Sequence, residues 1–352
     1  MLLEGIFPAV TTPFYPDGRL HVSKLEENIG CYSRTPVSGL AVLGSTGEAV
    51  MLSDEESRTV LRAARVAAAS EKVLLAGVAR ESLVETLRLA EFAADQQYDA
   101  VLVRTPHYYG PQMGQGEMLT YYRTLADRSP SPVVLYSIPK FTHYELPVEV
   151  IAELAKHPNI IGLKDSSGNV ERIAEIVAAT RNVVRRELLV TMTFAAFTGR
   201  MLADMALPEG NFVSPETRGR QAALAAAPPL ARVKTMRKKE VGFQVLTGSA
   251  HNLLEAVEAG ASGGVLALAA CAPQSCHEIY AAWKESNPKV AREKQQRVVE
   301  ASKVVGSRLG IPGIKYACDL NGYYGGPPRI PLLPLSADQQ AEVARVMAEL
   351  QN

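Results

Sequence analysis

Lys164 ends an apolar run that begins at Asn159, where an ammonium group must either reach water or be paired. The neighbouring Asp165 offers a salt bridge as one explanation. Partial burial instead favours a neutral amine, which can attack a carbonyl group and form an imine. Tyr136, at the end of another apolar run, is a candidate to move the protons in such a reaction. The residues alone leave both the salt bridge and the imine-forming nucleophile open.

Two more polar segments follow apolar runs and carry groups suited to binding. Residues 44–48 read GSTGE, a tight turn whose two hydroxyls and exposed backbone N–H groups can hold a carboxylate. Residues 105–109 read TPHYY and add two phenols. Each segment alone is more typical of a plain turn or of tyrosines that complete a core. Their chemistry depends on whether the fold brings them together.

The elements around these segments alternate between short apolar runs and amphipathic helices, which is the pattern of βα units. Strands are predicted at residues 6–10, 39–43, 73–77, 100–103, 133–136, 160–164, 243–246 and 263–266. Helices are predicted at 53–69, which opens with a capping box, and at 83–95. Eight such units favour an α/β protein with a closed (β/α)8 TIM barrel over an open doubly wound sheet. In a TIM barrel the polar strand ends meet at one face.

Two regions do not fit the eightfold pattern. Residues 186–240 form an insertion between the sixth helix and the seventh strand, within a predicted barrel domain of residues 1–272. Because a connection from helix to strand lies opposite the catalytic face, we expect the insertion to be structural or interfacial. Residues 273–352 are predicted to form a helical extension packed on the barrel. No chemistry is predicted for this extension.

Composition excludes several classes of protein. Lys plus Arg and Asp plus Glu each number 37, so no net charge would draw a nucleic acid, and the basic run at 234–239 is typical of a solvated helix face. No run of 18 apolar residues predicts a membrane span, and the first residues lack a signal peptide, so we expect a cytoplasmic protein. The four cysteines are predicted to be reduced. We expect no metal and no cofactor.

Four strand-end motifs together resemble the dihydrodipicolinate synthase and N-acetylneuraminate lyase superfamily. These motifs are a G-S/T-T-G-E turn, a P-x-Y-Y loop, a Y-x-x-P strand end and a G-x-K-D lysine, and all occur here in that order. The likeness covers nearly the whole chain except residues 186–240. It implies a class I aldolase that holds a 2-keto acid as a Schiff base inside a TIM barrel.

The resemblance also implies roles for individual residues. Lys164 matches the Schiff-base lysine, Tyr136 the proton-transferring tyrosine and Tyr109 a relay tyrosine that reaches a neighbouring subunit, which implies a homotetramer built from two dimers. Ser45 and Thr46 match the residues that bind the keto-acid carboxylate, and Thr46 is also counted with the catalytic groups. The remaining residues expected to bind substrate are Gly44, Ser166, Gly248, Ser249 and Leu266.

Departures from the superfamily pattern bear on the substrate. Synthases carry Y-N-x-P-x-R-T, whereas Phe141 stands at the arginine position here and cannot hold a carboxylate, with Lys140 one position away. Residues 131–139, 157–166 and 322–327 look most like 4-hydroxy-2-oxoglutarate aldolase, which predicts cleavage to pyruvate and glyoxylate, with Ser166 on the distal carboxylate. The alternatives are dihydrodipicolinate synthesis, a 2-keto-3-deoxy sugar acid aldolase or dehydratase, and a keto-acid-binding regulatory protein.

Overall fold

An eight-stranded parallel barrel and a separate two-stranded antiparallel sheet form the framework of the described residues. The computed structural model describes residues 1–183, 185–206 and 236–350. The strands in these ranges are Gly5–Pro8 (β1), Gly39–Val42 (β2), Val73–Gly77 (β3), Ala100–Arg104 (β4), Val133–Ser137 (β5), Ile160–Asp165 (β6), Arg186–Val190 (β7), Arg237–Val241 (β8), Gln244–Thr247 (β9) and Gly263–Leu266 (β10). All strands but β7 and β8 match the eight predicted barrel strands to within a few residues at each end.

The eight barrel strands pair in parallel in the order β1-β10-β9-β6-β5-β4-β3-β2. A parallel bridge between Ala9 and Ala41 closes the circle, and the Val10 N–H donates to the Ala41 carbonyl at 3.0 Å. A Cβ on Gly162 would lie 2.4 Å from the Gln244 carbonyl oxygen, so glycine is what lets β6 and β9 approach each other here. The predicted (β/α)8 barrel is confirmed.

Helices cover the outside of the barrel. Those up to the last strand are Val22–Ser33, Asp54–Ala67, Leu83–Asp95, Gln115–Arg128, Pro139–Thr142, Val148–Leu154, Val170–Ala179, Gly199–Ala206 and Leu253–Glu258. The capping box at the second of them is present, because the Ser53 side chain accepts from the Glu56 N–H and the Glu56 carboxylate accepts from the Ser53 N–H. The predicted helix at 83–95 ends where the sequence pattern places it.

The period of two along each strand divides the core into two layers. Inward side chains, such as Phe7, Leu75 and Val134, fill the barrel interior as one buried cluster. Outward side chains, such as Leu74 and Val133, pack under the helices in a second, larger cluster. The barrel is therefore a packed core rather than a channel. Polar groups on its inner face are displayed only where this packing ends.

The insertion lies on the face where the strands begin. Its strands β7 and β8 form an antiparallel pair in which Arg186 is opposite Val241. The Arg186 guanidinium donates to the carbonyls of His157 and Ile160, at the start of β6, and Thr198 donates to the Ser70 carbonyl ahead of β3. Residues 207–235 of the predicted insertion lie outside the described residues. The predicted domain boundaries stay a prediction.

The C-terminal extension is helical. It contains the helices Pro273–Lys284, Pro288–Ala301, Gly310–Leu320 and Ala337–Met347, with a π-helical segment Ser302–Arg308 between the second and third. π-Helical segments are rare and are frequently found at functional sites. Within the described parts of the chain, no helix is both long enough and apolar enough to cross a membrane.

Candidate active site

Lys164 lies on the inner face of β6, near the carboxyl ends of the strands. Strand alternation turns Leu163 and Asp165 towards the helices and Lys164 into the barrel, where its side chain is 4% exposed. Its ammonium nitrogen lies 4.0 Å from the centre of the Tyr136 ring. In the described ranges of the chain, this nitrogen has no hydrogen-bond or ion-pair partner. The lysine is thus buried, lies over the ring of a tyrosine and has no carboxylate partner in the part of the chain that the structure describes.

The salt-bridge explanation for Lys164 is wrong. The Asp165 carboxylate instead accepts from the Arg172 guanidinium at 3.0 Å and from the Ser167 N–H at 3.0 Å. Both Asp165 and Arg172 are buried, on the outer side of the strand. The reason is geometric, since successive residues of a strand point to opposite faces. Asp165 therefore anchors β6 to the helix Val170–Ala179 and does not form an ion pair with Lys164.

Tyr136 lies beside Lys164 because β5 and β6 pair in the register that makes these two residues Cα partners. Its phenol oxygen lies 3.5 Å from the Ser45 hydroxyl oxygen. Three groups therefore form a row across the mouth of the barrel: a hydroxyl from the turn after β2, a phenol from β5 and an amine from β6. Such a row can carry protons to and from a group bound at Lys164.

The turn after β2 presents Ser45 and Thr46 to the same space. It is a 3₁₀ turn, Ser45–Gly47, held from below by the Thr12 hydroxyl, which donates to the Gly47 carbonyl at 2.6 Å. The backbone N–H groups of Ser45 and Thr46 have no acceptor within the described residues. Two free amides and two hydroxyls in one turn can bind a carboxylate.

These groups line a cavity of about 260 Å³ at the carboxyl ends of the strands. The residues predicted from sequence that line it are Ser45, Thr46, Tyr136, Lys164, Ser166, Gly248 and Ser249. A Cβ on Gly248 would collide with the Ser166 hydroxyl, so glycine leaves the space in which Ser166 sits. The structure thus brings together groups from four strand ends, those of β2, β5, β6 and β9.

Three predicted residues lie elsewhere. Leu266 faces the helices, and Val265 lines the cavity in its place, because the inward phase of β10 is one residue earlier than predicted. Gly44 precedes the 3₁₀ turn and does not line the cavity. Tyr109 is 65% exposed, outside the cavity of its own chain, with its ring edge-on to that of Tyr108.

The C-terminal extension forms one wall of the cavity, although no chemistry was predicted for it. The lining residues that it supplies are Ser302, Gly306, Ser307, Gly310, Ile311 and Ile314, from the π-helical segment and the helix after it. No local pattern identifies them, since they approach the barrel only through tertiary packing. The π-helical segment is the one signal, and it is visible only in the structure.

The outer part of the cavity is defined by Lys140, Phe141 and His251. The Lys140 ammonium donates to the Ser307 carbonyl at 2.6 Å, across the mouth. Burial lowers the pKa of His251 below its ordinary value, and the charge of Lys303 lowers it further. The His251 ring is 2.9 Å from the Ser249 hydroxyl through Nδ1. The inner end of the cavity is therefore suited to an imine at Lys164, and the outer end is suited to a polar second substrate.

Comparison with known proteins shows which family the chain belongs to. The model of the dihydrodipicolinate synthetase family matches residues 2–185 and 225–350. The chain belongs to this family. Members of the family are class I lyases and aldolases that act through a lysine Schiff base, and the protein is an enzyme of this class. The stretch without a match, 186–224, falls inside the predicted insertion.

One curated relative and two solved structures align with nearly the whole chain. The 4-hydroxy-tetrahydrodipicolinate synthase of Methanothrix thermoacetophila is 27% identical over 349 residues, which are 99% of this chain and 97% of the relative. The chloride-inhibited dihydrodipicolinate synthase of Acinetobacter baumannii, solved with pyruvate, has a TM-score of 0.78 at 21% identity over 99% of each chain. A dihydrodipicolinate synthase variant described as monomeric has a TM-score of 0.76 at 20% identity, over 99% of this chain and 96% of that one.

Proposed function

We propose that the protein forms a Schiff base between Lys164 and the keto carbon of pyruvate, or of a closely related 2-keto acid, and uses it for aldol chemistry. The observation that carries this proposal is the Lys164 amine, which is buried at the inner end of the cavity and has no carboxylate partner among the described residues. An ion pair with a carboxylate stabilises the protonated ammonium, which has no lone pair to donate, and the described residues place no carboxylate beside this lysine. The Schiff-base mechanism of the family gives it a role.

The reaction follows from the groups around Lys164. The neutral amine adds to the keto carbon and gives a carbinolamine, whose hydroxyl leaves as water after taking a proton from the Tyr136 phenol. The protonated imine then transfers a proton from its methyl carbon to the Tyr136 phenolate, which restores the phenol and leaves an enamine. The enamine carbon attacks an aldehyde, and the new alkoxide takes a proton from the phenol. Hydrolysis releases the product and the lysine, and the reverse sequence is retro-aldol cleavage.

Ser45 and Thr46 hold the carboxylate of the keto acid in this proposal. Both residues line the cavity beside Tyr136, and a carboxylate bound there would accept charge-assisted hydrogen bonds from their amides and hydroxyls. The Ser45 hydroxyl also touches the phenol, so that the carboxylate and the proton-transferring oxygen share one neighbour. Fixing the carboxylate orients the keto carbon towards the amine.

For the second substrate, we propose aspartate semialdehyde, which condenses with the pyruvate enamine to give 4-hydroxy-tetrahydrodipicolinate. This choice follows the name of the relatives that align with nearly the whole chain. Cleavage of 4-hydroxy-2-oxoglutarate is the second candidate, and the comparisons give it no support. It is favoured by Phe141, which lines the mouth where synthases are expected to carry an arginine. Both reactions use the same enamine, so the outer end of the cavity distinguishes them.

The homotetramer implied by the resemblance stays a proposal, supported by exposed tyrosines. Tyr108 is 75% exposed and Tyr109 65%, and both follow β4 on the catalytic side of the barrel. Aromatic rings of this kind are typical of protein interfaces. Light scattering on the purified protein should give four times the mass of one chain. A mass of one chain would contradict the tetramer, and the monomeric variant of similar fold shows that the fold itself does not decide it.

The deciding experiment is reduction with borohydride in the presence of pyruvate, followed by intact mass and peptide mapping. We expect one added reduced-pyruvate group per chain, located on Lys164. Lys164→Ala should abolish the label, whereas Lys156→Ala, which removes an exposed lysine, should not. A folded protein without the label would overturn the imine. Turnover assays with pyruvate plus aspartate semialdehyde, and separately with 4-hydroxy-2-oxoglutarate, then choose between the two candidate reactions.

A further inference from the structure

Glu48 occupies an unusual place at the end of the carboxylate-binding turn. It comes two residues after Thr46 and is 1% exposed. Its backbone has a φ of 54°, in the left-handed region that non-glycine residues rarely adopt. Its N–H donates to the Ser45 carbonyl and closes the 3₁₀ turn. A strained, buried glutamate beside a binding turn needs contacts that hold it there.

Those contacts come from the C-terminal extension. The Glu48 carboxylate lies 2.6 Å from the Lys315 ammonium, and the two side chains are 0% and 1% exposed. Its second oxygen accepts from the Arg329 N–H at 2.8 Å. Lys315 belongs to the helix Gly310–Leu320, whose first residues line the cavity. One carboxylate thus ties the turn of the barrel to the wall formed by the extension.

Lys315 is itself fully constrained. Its ammonium donates to the Pro327 carbonyl at 2.8 Å and lies 4.3 Å from the centre of the Phe14 ring. Burial lowers the pKa of Lys315, and the Glu48 charge opposes that effect. A buried pair of this kind contributes little net stability, but it leaves a costly lone charge when one partner is removed. We therefore expect the Glu48–Lys315 pair to hold the residues around it in position rather than to stabilise the fold.

We propose that Glu48 and Lys315 are positioning residues for keto-acid binding, an inference that rests on the proposed function. The ion pair holds Glu48 in its left-handed conformation, Glu48 closes the 3₁₀ turn, and the turn presents the amides and hydroxyls of Ser45 and Thr46 to the carboxylate. Neither residue lines the cavity, so both would act through the turn rather than by contact with the substrate. Loss of the pair therefore weakens pyruvate binding more than it slows the chemistry at Lys164.

The test measures borohydride trapping of pyruvate on Lys164 over a range of pyruvate concentrations. In Glu48→Gln and Lys315→Met we expect the half-saturating concentration to rise at least tenfold, with the maximal trapping rate within threefold of wild type. Arg200→Met is the matched control, because it removes a buried cation from an ion pair with Asp99 at the opposite end of the barrel. Its half-saturating concentration should stay within twofold of wild type.

Folding is checked for each variant by circular dichroism and thermal unfolding. If a single variant does not fold, Glu48→Gln/Lys315→Met, which leaves no lone buried charge, carries the same test. Folded variants with a wild-type half-saturating concentration overturn the positioning role and leave the proposed function intact. Absence of trapping in the wild-type protein overturns the proposed function, and the inference with it.

Discussion

The Lys164 ammonium nitrogen lies 4.0 Å from the centre of the Tyr136 ring, within the mouth of the barrel. The parallel register of β5 and β6 makes the two residues direct neighbours. The ring face is attractive to a cation, whereas the phenol oxygen points on to Ser45. We therefore expect the aromatic ring and the phenol oxygen to have separate roles, which substitution can distinguish.

Tyr136→Phe keeps the ring and removes the oxygen. We expect turnover and imine formation to slow by roughly 10²- to 10⁴-fold, the range typical of a lost general acid–base group, with little change in stability. Single-turnover trapping and thermal unfolding measure the two effects. A variant that traps pyruvate at the wild-type rate would assign the proton transfers to another group.

Removing one partner of the Asp165–Arg172 pair should destabilise the fold. Arg172→Met leaves the Asp165 carboxylate buried and unpaired, which typically costs about 3–5 kcal/mol. Urea unfolding followed by fluorescence measures the loss. Asp165→Asn/Arg172→Met leaves no lone charge and should recover most of the stability. Equal stability of the single variant and wild type would show that the pair is not an anchor.

Lys140 should affect the second substrate and not the first. It is the one lysine or arginine besides Lys164 among the described residues that line the cavity. Lys140→Met is expected to lower kcat/KM for a carboxylate-bearing aldehyde by about ten- to a hundredfold, the equivalent of one charged hydrogen bond. The half-saturating pyruvate concentration in trapping serves as the internal control. Unchanged kcat/KM would place the aldehyde's carboxylate elsewhere.

Two histidines should make stability depend on pH. Burial lowers the pKa of His251 and of His277 in the folded protein from about 6.5. The unfolded chain therefore binds more protons as the pH falls below about 6.5, and the free energy of unfolding decreases until the folded pKa values are passed. In His277→Gln this decrease should be shallower between pH 7 and pH 5.

The exposed His143 provides the control for that experiment. His143→Asn should unfold with the pH profile of the wild-type protein, because this side chain is not buried. Urea titrations at several pH values give the comparison. Identical profiles for His277→Gln and wild type would show that protonation of His277 does not contribute to the loss of stability.

Much of the site could be predicted because it depends on local pattern. Apolar runs give the strands, and the carboxyl ends of parallel strands meet at one face, which places Lys164, Tyr136 and Ser45 together before any coordinates are known. The inward phase of a strand is less secure, since an error of one residue reverses it. That is why Val265 lines the cavity and Leu266 does not.

The wall of the cavity could not be predicted from the sequence. Ser302, Gly306 and Ile314 carry no chemical motif, and their contact with the barrel depends on how the extension packs. The same holds for Lys315, whose partner Glu48 is far away in the chain. Propensity and periodicity describe neighbours along the chain, whereas these contacts arise only from tertiary packing.

The position of the antiparallel strand pair β7–β8 has a practical consequence. Glu187 and Lys238 pair across it with more than half of each side chain exposed, on the face where the barrel strands begin. The cavity opens at the other face. A dye or an affinity tag attached through an exposed residue of this strand pair should therefore allow the protein to be immobilised with its substrate entrance facing the solution.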